Sequence, residues 1–205
     1  MESLLDKMHR IVLASSNQGK IKELTALLKP FRIEIIPQAE FNIPDAEETG
    51  LTFIENALIK ARHAAAATGL PALADDSGLA VDALNGEPGI HSARYGGGQL
   101  TPKEQITKLC ENMSSVQDDK RSATFHCVLA FLNSPHDPVP LICHGQLHGS
   151  ILTAPRGEHG FGYDPVFFVP SENKSAAELP PEIKNKISHR ARALQQLVSL
   201  LPEKL

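Results

Sequence analysis

Residues 11–36, IVLASSNQGKIKELTALLKPFRIEII, carry the pattern that decides the fold. Ile11 to Ala14 is a short apolar run that ends in the polar group Ser15, Ser16 and Asn17, as a buried strand does on reaching a loop. Ile21, Leu24, Leu27 and Leu28 then follow helical spacing until Pro30, which cannot continue a helix. Ile33 to Ile36 is a second strand. A strand, a helix and a strand in close succession predict a β-α-β unit with a parallel strand pair.

Working outward, Thr52-Phe53-Ile54-Glu55 has the form of a capping box and predicts a helix to about Thr68, ended by Gly69 and Pro71. Leu73 to Asp75 is expected to be a third strand that empties into Asp76, Ser77 and Gly78. Glu87-Pro88-Gly89-Ile90 fits a type II turn. A helix around Lys103 to Met113 precedes two strands, Ala123 to Leu132 and Val139 to Gly149, with a short strand at Val166 to Val169. Pro181 to Leu201 is expected to be helical, with Ile187, Ala191, Leu194, Leu197 and Leu201 on one stripe. The class is α/β with a mixed sheet.

Bulk properties narrow the function. The chain has 205 residues and 41% hydrophobic content, enough for one domain of two lobes. Its net charge of −4 argues against a broad nucleic-acid or membrane face. A small anion in a cationic site remains compatible with that charge. The opening MESLLDKMHR is too short and too charged for a signal-peptide core, and no apolar run is long enough to span a membrane. Cys110, Cys127 and Cys143 form no CxxC pair and are expected to be reduced, packed thiols. A cytoplasmic protein fits these features.

Five groups of residues can carry chemistry. Ser15, Asn17, Gly19 and Lys20 lie at a strand-to-helix junction, where unpaired N–H groups and a partial positive charge suit phosphate. This is not a Walker A loop, because Ile21 stands where a magnesium-binding hydroxyl would be. An ordinary capped helix with a surface lysine has the same local pattern. Asp75 and Asp76 sit at the carboxyl end of a strand, where they suit a hard cation or a general base, although Asp-Ser-Gly is also turn chemistry. Glu47 and Glu48 precede a helix on which Asn56 and Lys60 share a face. Phe161 stands among glycines in Gly160–Pro165, as an accessible ring or as part of a hairpin loop. Lys184, His189 and Arg190 offer hydrogen-bond donors, or simply open a basic helix.

In this order, SSNQGKIKEL, EETGLTFIENALIKAR, ALADDSGLAVDALNGEPGIHSARY, GFGYDPVFF and ISHRARAL together resemble the inosine triphosphate pyrophosphatase family, the Ham1-like or RdgB-like XTP/dITP diphosphatases. The resemblance covers nearly everything after residue 10 and implies a single two-lobed domain over residues 11–205, with residues 1–10 a leader of no assigned role. It implies an elongated mixed sheet with flanking helices, two lobes around a central cleft, and a homodimer. The implied reaction cleaves ITP, dITP or XTP between the α- and β-phosphates, with Mg2+, or Mn2+ in its place. Ser15, Ser16, Asn17, Gln18, Gly19 and Lys20 match the phosphate-gripping segment. Asp76 matches the proton acceptor and a metal ligand, Glu48 a second ligand, Lys60 a phosphate-facing cation and Ser77 a substrate contact. The resemblance leaves Asp75 open as a further neighbour of the metal. Phe161, Gly162, Tyr163, Asp164, Lys184, His189 and Arg190 match the surroundings of base and sugar. Ser16 departs from the glycine that the family often has there. A Maf-like pyrimidine triphosphate pyrophosphatase is less favoured by the Gly160–Pro165 and Ser188–Arg190 segments. A non-catalytic nucleotide sensor would leave the acidic pair without a role.

Overall fold

In the computed structural model, which describes residues 9–31 and 33–204, the opening unit is β1 (His9–Ala14), α1 (Gln18–Leu28) and β2 (Ile33–Pro37). β1 takes its first two residues, His9 and Arg10, from the segment read as a leader. There follow α2 (Phe53–Thr68), β3 (Ala72–Val81), α3 (Pro102–Asn112), β4 (Ser122–Leu132), β5 (Leu141–Ile151), β6 (Phe167–Val169), β7 (Lys174–Ser175), α4 (Pro181–Ile187) and α5 (His189–Leu200). The seven strands form one sheet in the order β2-β1-β3-β4-β5-β6-β7. β1 pairs parallel with β2 and β3, whereas β6 pairs antiparallel with β5 and β7, so the sheet is mixed.

The chain divides into two compact units. The first comprises the chain up to Asp76, Cys127–Gly145 and the chain from Arg190 onward; the second comprises Ser77–His126 and Gln146–His189. In the first unit the period-2 alternation of the strands sorts two apolar faces. Ile11, Leu13, Leu73, Leu129 and Phe131 pack with Leu24 and Leu28 of α1 and with Leu194 and Leu197 of α5. Val12, Ala14, Ala72, Ala74, Val128 and Ala130 pack with Ala57, Ala61, Ala64 and Ala65 of α2. The alanines on both partners let helix and sheet approach closely, and strands covered on both faces read as continuous apolar runs.

The crossovers place the site. α1 carries the chain from β1 to β2, and α2 carries it back to β3 on the other side of β1. The carboxyl end of β1 therefore lies beside β3 where the winding direction changes, with Ala14 opposite Ala74 and the two aspartates just beyond. Open α/β sheets bind ligands outside such a switch point. α2 is held at both ends by its own sequence. Thr52 accepts the Glu55 N–H as N-cap, Glu55 reaches back to the Leu51 N–H at 2.8 Å, and Gly69 closes the helix at φ 68°.

The second unit has its own core, which includes Leu79, Val81, Ile106, Leu109, Phe125, Leu147, Val166 and Phe167. Buried Arg121 clamps its loops by donating to the carbonyls of Met113, Val116, Ile151 and Leu152. Cys127 and Cys143 are buried thiols outside any disulfide, and burial pushes Cys143 up to about 11. No helix among the described residues is long and apolar enough to cross a membrane.

Three elements differ from the sequence expectation. β3 continues through Asp76, Ser77 and Gly78 to Val81, because Leu79 and Val81 enter the second core and keep the chain extended. The Glu87–Ile90 segment is not a type II turn: Pro88 has ψ −18°, whereas that turn needs about +120°. The reversal is made just before it, by Asn85 and Gly86 at φ 52° and 89°. The final helix is two helices, since Ser188 is extended at φ −63° and ψ 157°. Ile187 packs on the second core while Leu194, Leu197 and Leu201 pack in the first, so the single stripe is divided between two cores.

Candidate active site

At the end of β1, Ser15 Oγ accepts the Asn17 N–H at 3.2 Å and Asn17 Oδ1 accepts the Lys20 N–H at 3.1 Å. Asn17 is thus the N-cap of α1, and exposed Gln18 opens the helix. Such an end presents the backbone N–H groups of its first turn. Ser16 needs no glycine, for among the described residues only Asn42, Asn85 and Asn173 adopt positive φ besides glycines. Its hydroxyl donates instead to Asp45 Oδ2 at 2.7 Å, a residue that no sequence motif singled out.

Next along the switch point, the two aspartates do different work. Asp75 is 1% exposed, with Lys20 Nζ 2.6 Å from Oδ1 and Arg190 Nε 2.7 Å from Oδ2. Burial opposes its ionisation, but Arg190 and Lys20 outweigh burial and hold the carboxyl well below the usual range. Arg190, itself 1% exposed, also pairs with Glu23 of α1. Asp75 and Glu23 both lie in the first unit, as does Arg190 itself. The sequence reading gives Glu23 no role, although it lies in the SSNQGKIKEL stretch one turn after Lys20 on α1.

Asp76 meets Lys60. The ammonium lies 2.6 Å from Asp76 Oδ1, 2.8 Å from Glu48 Oε1 and 3.0 Å from the Asp75 carbonyl oxygen. Burial acts to discharge Lys60, yet Asp76 and then Glu48 raise its pKa above the ordinary lysine value. Burial dominates at Asp76 and raises its carboxyl, with Lys60 offsetting this only in part. The reason is geometric: Asp76 Oδ2 is buried and has no hydrogen-bond partner among the described residues. An oxygen without a donor, beside a second carboxylate, fits a hard cation. Among the described residues no three His, Cys, Asp or Glu side chains are arranged to hold a metal. Glu48 and Asp76 would supply the one or two carboxylates that Mg2+ takes beside its waters and substrate phosphates.

The remaining candidates lie in the second unit, with Ser77 directly following Asp76 in β3. Asp164 Oδ2 accepts the Phe161 N–H at 2.8 Å and the Lys184 ammonium at 2.7 Å. Lys184 Nζ is also 5.2 Å from the centroid of the Phe161 ring, within cation–π range. Phe161 is 37% exposed. Tyr163 is buried, and its hydroxyl donates to the Ser92 carbonyl at 2.9 Å. Gly162 takes φ 59° beside it. The His189 ring stacks on Phe125 at 4.8 Å. Gly160 has φ +79°, and a Cβ there would lie 2.1 Å from Asp164 Oδ2. Gly160→Ala is therefore expected to cost at least about 1–3 kcal/mol, the usual scale of backbone strain, before the clash is counted. Urea unfolding checks this, and an unchanged midpoint would show that the loop yields freely.

A sequence profile of the Ham1 family matches residues 11–200. The chain belongs to the Ham1 family. It is 56% identical over 196 residues to a dITP/XTP pyrophosphatase of Vibrio cholerae, covering 96% of this chain and 98% of that protein. It is 56% identical over 194 residues to a dITP/XTP pyrophosphatase of Escherichia coli K12, covering 95% and 98%. The Ham1 fold is shared with solved structures. A HAM1 protein from Coxiella burnetii superposes with a TM-score of 0.89 at 56% identity, over 96% of this chain and 100% of that one. The Staphylococcus aureus Ham1 protein gives 0.84 at 41% identity, again over 96% and 100%.

Proposed function

We propose that this Ham1 protein hydrolyses non-standard purine nucleoside triphosphates, ITP, dITP and XTP, to the monophosphate and pyrophosphate. One observation carries the reading: Lys60 gathers Glu48 and Asp76 at the switch point, next to the capped N-terminus of α1. The names of the Vibrio cholerae and Escherichia coli relatives point to dITP and XTP and lend the Maf-like and sensor alternatives no support.

The chemistry follows from the residues. Asp76 takes a proton from a water that attacks the α-phosphorus, and the bond to the bridging oxygen breaks. The start of α1, with Lys20 and Lys60 nearby, supplies N–H groups and positive charge for the departing pyrophosphate. Glu48 and Asp76 would hold Mg2+, or Mn2+ in its place, which when bound supplies charge neutralisation on the phosphate oxygens. For the base, Lys184 and His189 offer donors to the 6-oxygen of inosine or xanthine, where adenine would set an amino donor against them. Phe161 stacks on any purine and adds affinity without selectivity. Arg190, being committed to Asp75 and Glu23, is assigned to holding the phosphate end in shape. The family resemblance is also what supports a homodimer, whereas a cytoplasmic location rests on composition and cysteine usage.

The test is to incubate the protein with ITP, XTP and ATP, with Mg2+ and after metal stripping, and to identify the products. IMP and pyrophosphate from ITP are expected, with loss of turnover on chelation and roughly 10⁴-fold discrimination against ATP. IDP and orthophosphate would overturn the reaction. Undiminished turnover without metal would remove the cation, and equal use of ATP would end the donor-based selectivity.

A further inference from the structure

We infer that Asn56 is a positioning residue for the cation site, acting through the backbone of Gly50 to hold Glu48 in place; this rests on Glu48 serving as a metal ligand. Asn56 is fully buried in the first turn of α2, one turn before Lys60 on the same helix. Its Oδ1 accepts the Gly50 N–H at 2.8 Å. Gly50 is pressed against the helix so closely that a Cβ would lie 2.5 Å from Glu55 Cβ and 2.8 Å from Asn56 Oδ1. Leu51 N–H donates to Glu55 Oε2 at 2.8 Å, so two successive backbone groups of the acidic loop are docked on the helix start. Glu48 lies two residues before this anchor, and its carboxylate meets Lys60 of the same helix at 2.8 Å. One helix thereby sets both the loop bearing a candidate ligand and the cation that holds its carboxylate.

Asn56 has no local reason to be there. Asparagine is a poor helix former, and the neighbouring buried positions Ala57 and Ala61 show what this helix uses to face its core. Its Nδ2 is buried without a partner among the described residues, so the amide costs desolvation that the helix does not recover. What the side chain contributes is the fixed path of residues 48–50. Groups that orient a metal ligand typically change metal affinity by about 10–100-fold when removed.

The experiment titrates Mn2+ alone into the full chain, following free Mn2+ by electron paramagnetic resonance, for wild type and four variants. Asn56→Ala removes the acceptor, and Gly50→Ala pushes the same contact apart from the other side. Glu48→Gln tests the ligand. Arg62→Ala removes a different tether of α2, the 2.6 Å bond to the Pro135 carbonyl, and controls for general loosening of the helix. Mn2+ affinity is expected to fall about 10-fold or more in Asn56→Ala, Gly50→Ala and Glu48→Gln, and to stay near wild type in Arg62→Ala. If Asn56→Ala does not fold, Gly50→Ala carries the test. Weakened binding in Glu48→Gln with wild-type binding in Asn56→Ala or Gly50→Ala overturns the inference and leaves Glu48 a ligand. Wild-type binding in Glu48→Gln overturns the ligand reading and the inference with it. Equal weakening in Arg62→Ala reduces Asn56 to an ordinary packing residue.

Discussion

Asp76→Asn should leave a folded protein that turns over ITP roughly 10²–10⁴-fold more slowly, the usual cost of removing a general base, with more lost if a cation ligand goes too. The substitution keeps size and shape but removes the charge that Lys60 meets at 2.6 Å and that a water proton would join. Stability should change little. Burial already disfavours the ionised Asp76 carboxylate, and its Oδ2 has no partner to lose among the described residues. Lys60 would keep Glu48 and the Asp75 carbonyl oxygen. Single-turnover kinetics on ITP beside a urea unfolding curve decides the matter. A variant with near-normal turnover would make Asp76 structural.

Arg190→Ala is expected to have the opposite profile, a large loss of stability with an unchanged preference for ITP over ATP. Breaking a buried ion pair by removing one partner costs about 3–5 kcal/mol, because the other charge stays buried. Asp75 would keep Lys20, but Oδ2 would lose its Arg190 partner and Glu23 would lose its own. The pH dependence follows from the depressed Asp75 carboxyl. An unfolded aspartate titrates near about 3.9, so the stability contributed by Asp75 is fully present above that value. It is lost only as pH falls through the much lower folded value. In Arg190→Ala burial is less opposed, the folded pKa rises, and acid unfolding should begin at a higher pH. Urea midpoints across the acid range measure this. Midpoints equal to wild type would show the pair to be inert, and a changed ITP to ATP ratio would return Arg190 to the base.

The two aspartates show how far the sequence reaches. The adjacent carboxylates, expected where a strand ends, lie inside β3 beside the end of β1, and nothing local distinguishes Asp75 from Asp76. Their difference comes from partners far along the chain, since Arg190 is 115 residues from Asp75 and Lys60 is 16 from Asp76. The same holds for Tyr163, which sits beside Phe161 in sequence but gives its hydroxyl to Ser92, 71 residues away.

By itself the sequence determined β1, α1, β2 and α2, together with the capped start of α1, although β1 begins at His9 rather than Ile11 and β2 ends at Pro37 rather than Ile36. These rest on apolar period, on the Asn17 and Thr52 caps and on the Gly69 stop, all set by neighbours within a turn or two. Tertiary structure alone decided that β3 runs on past Asp76, that Ser188 splits the last helix, and that Arg190 serves a carboxylate. In each case local preference was weak or divided, and the outcome was set by burial in one of two cores or by pairing of a buried charge. Burial and charge pairing depend on residues that meet only when the chain is folded, so no window of sequence contains them.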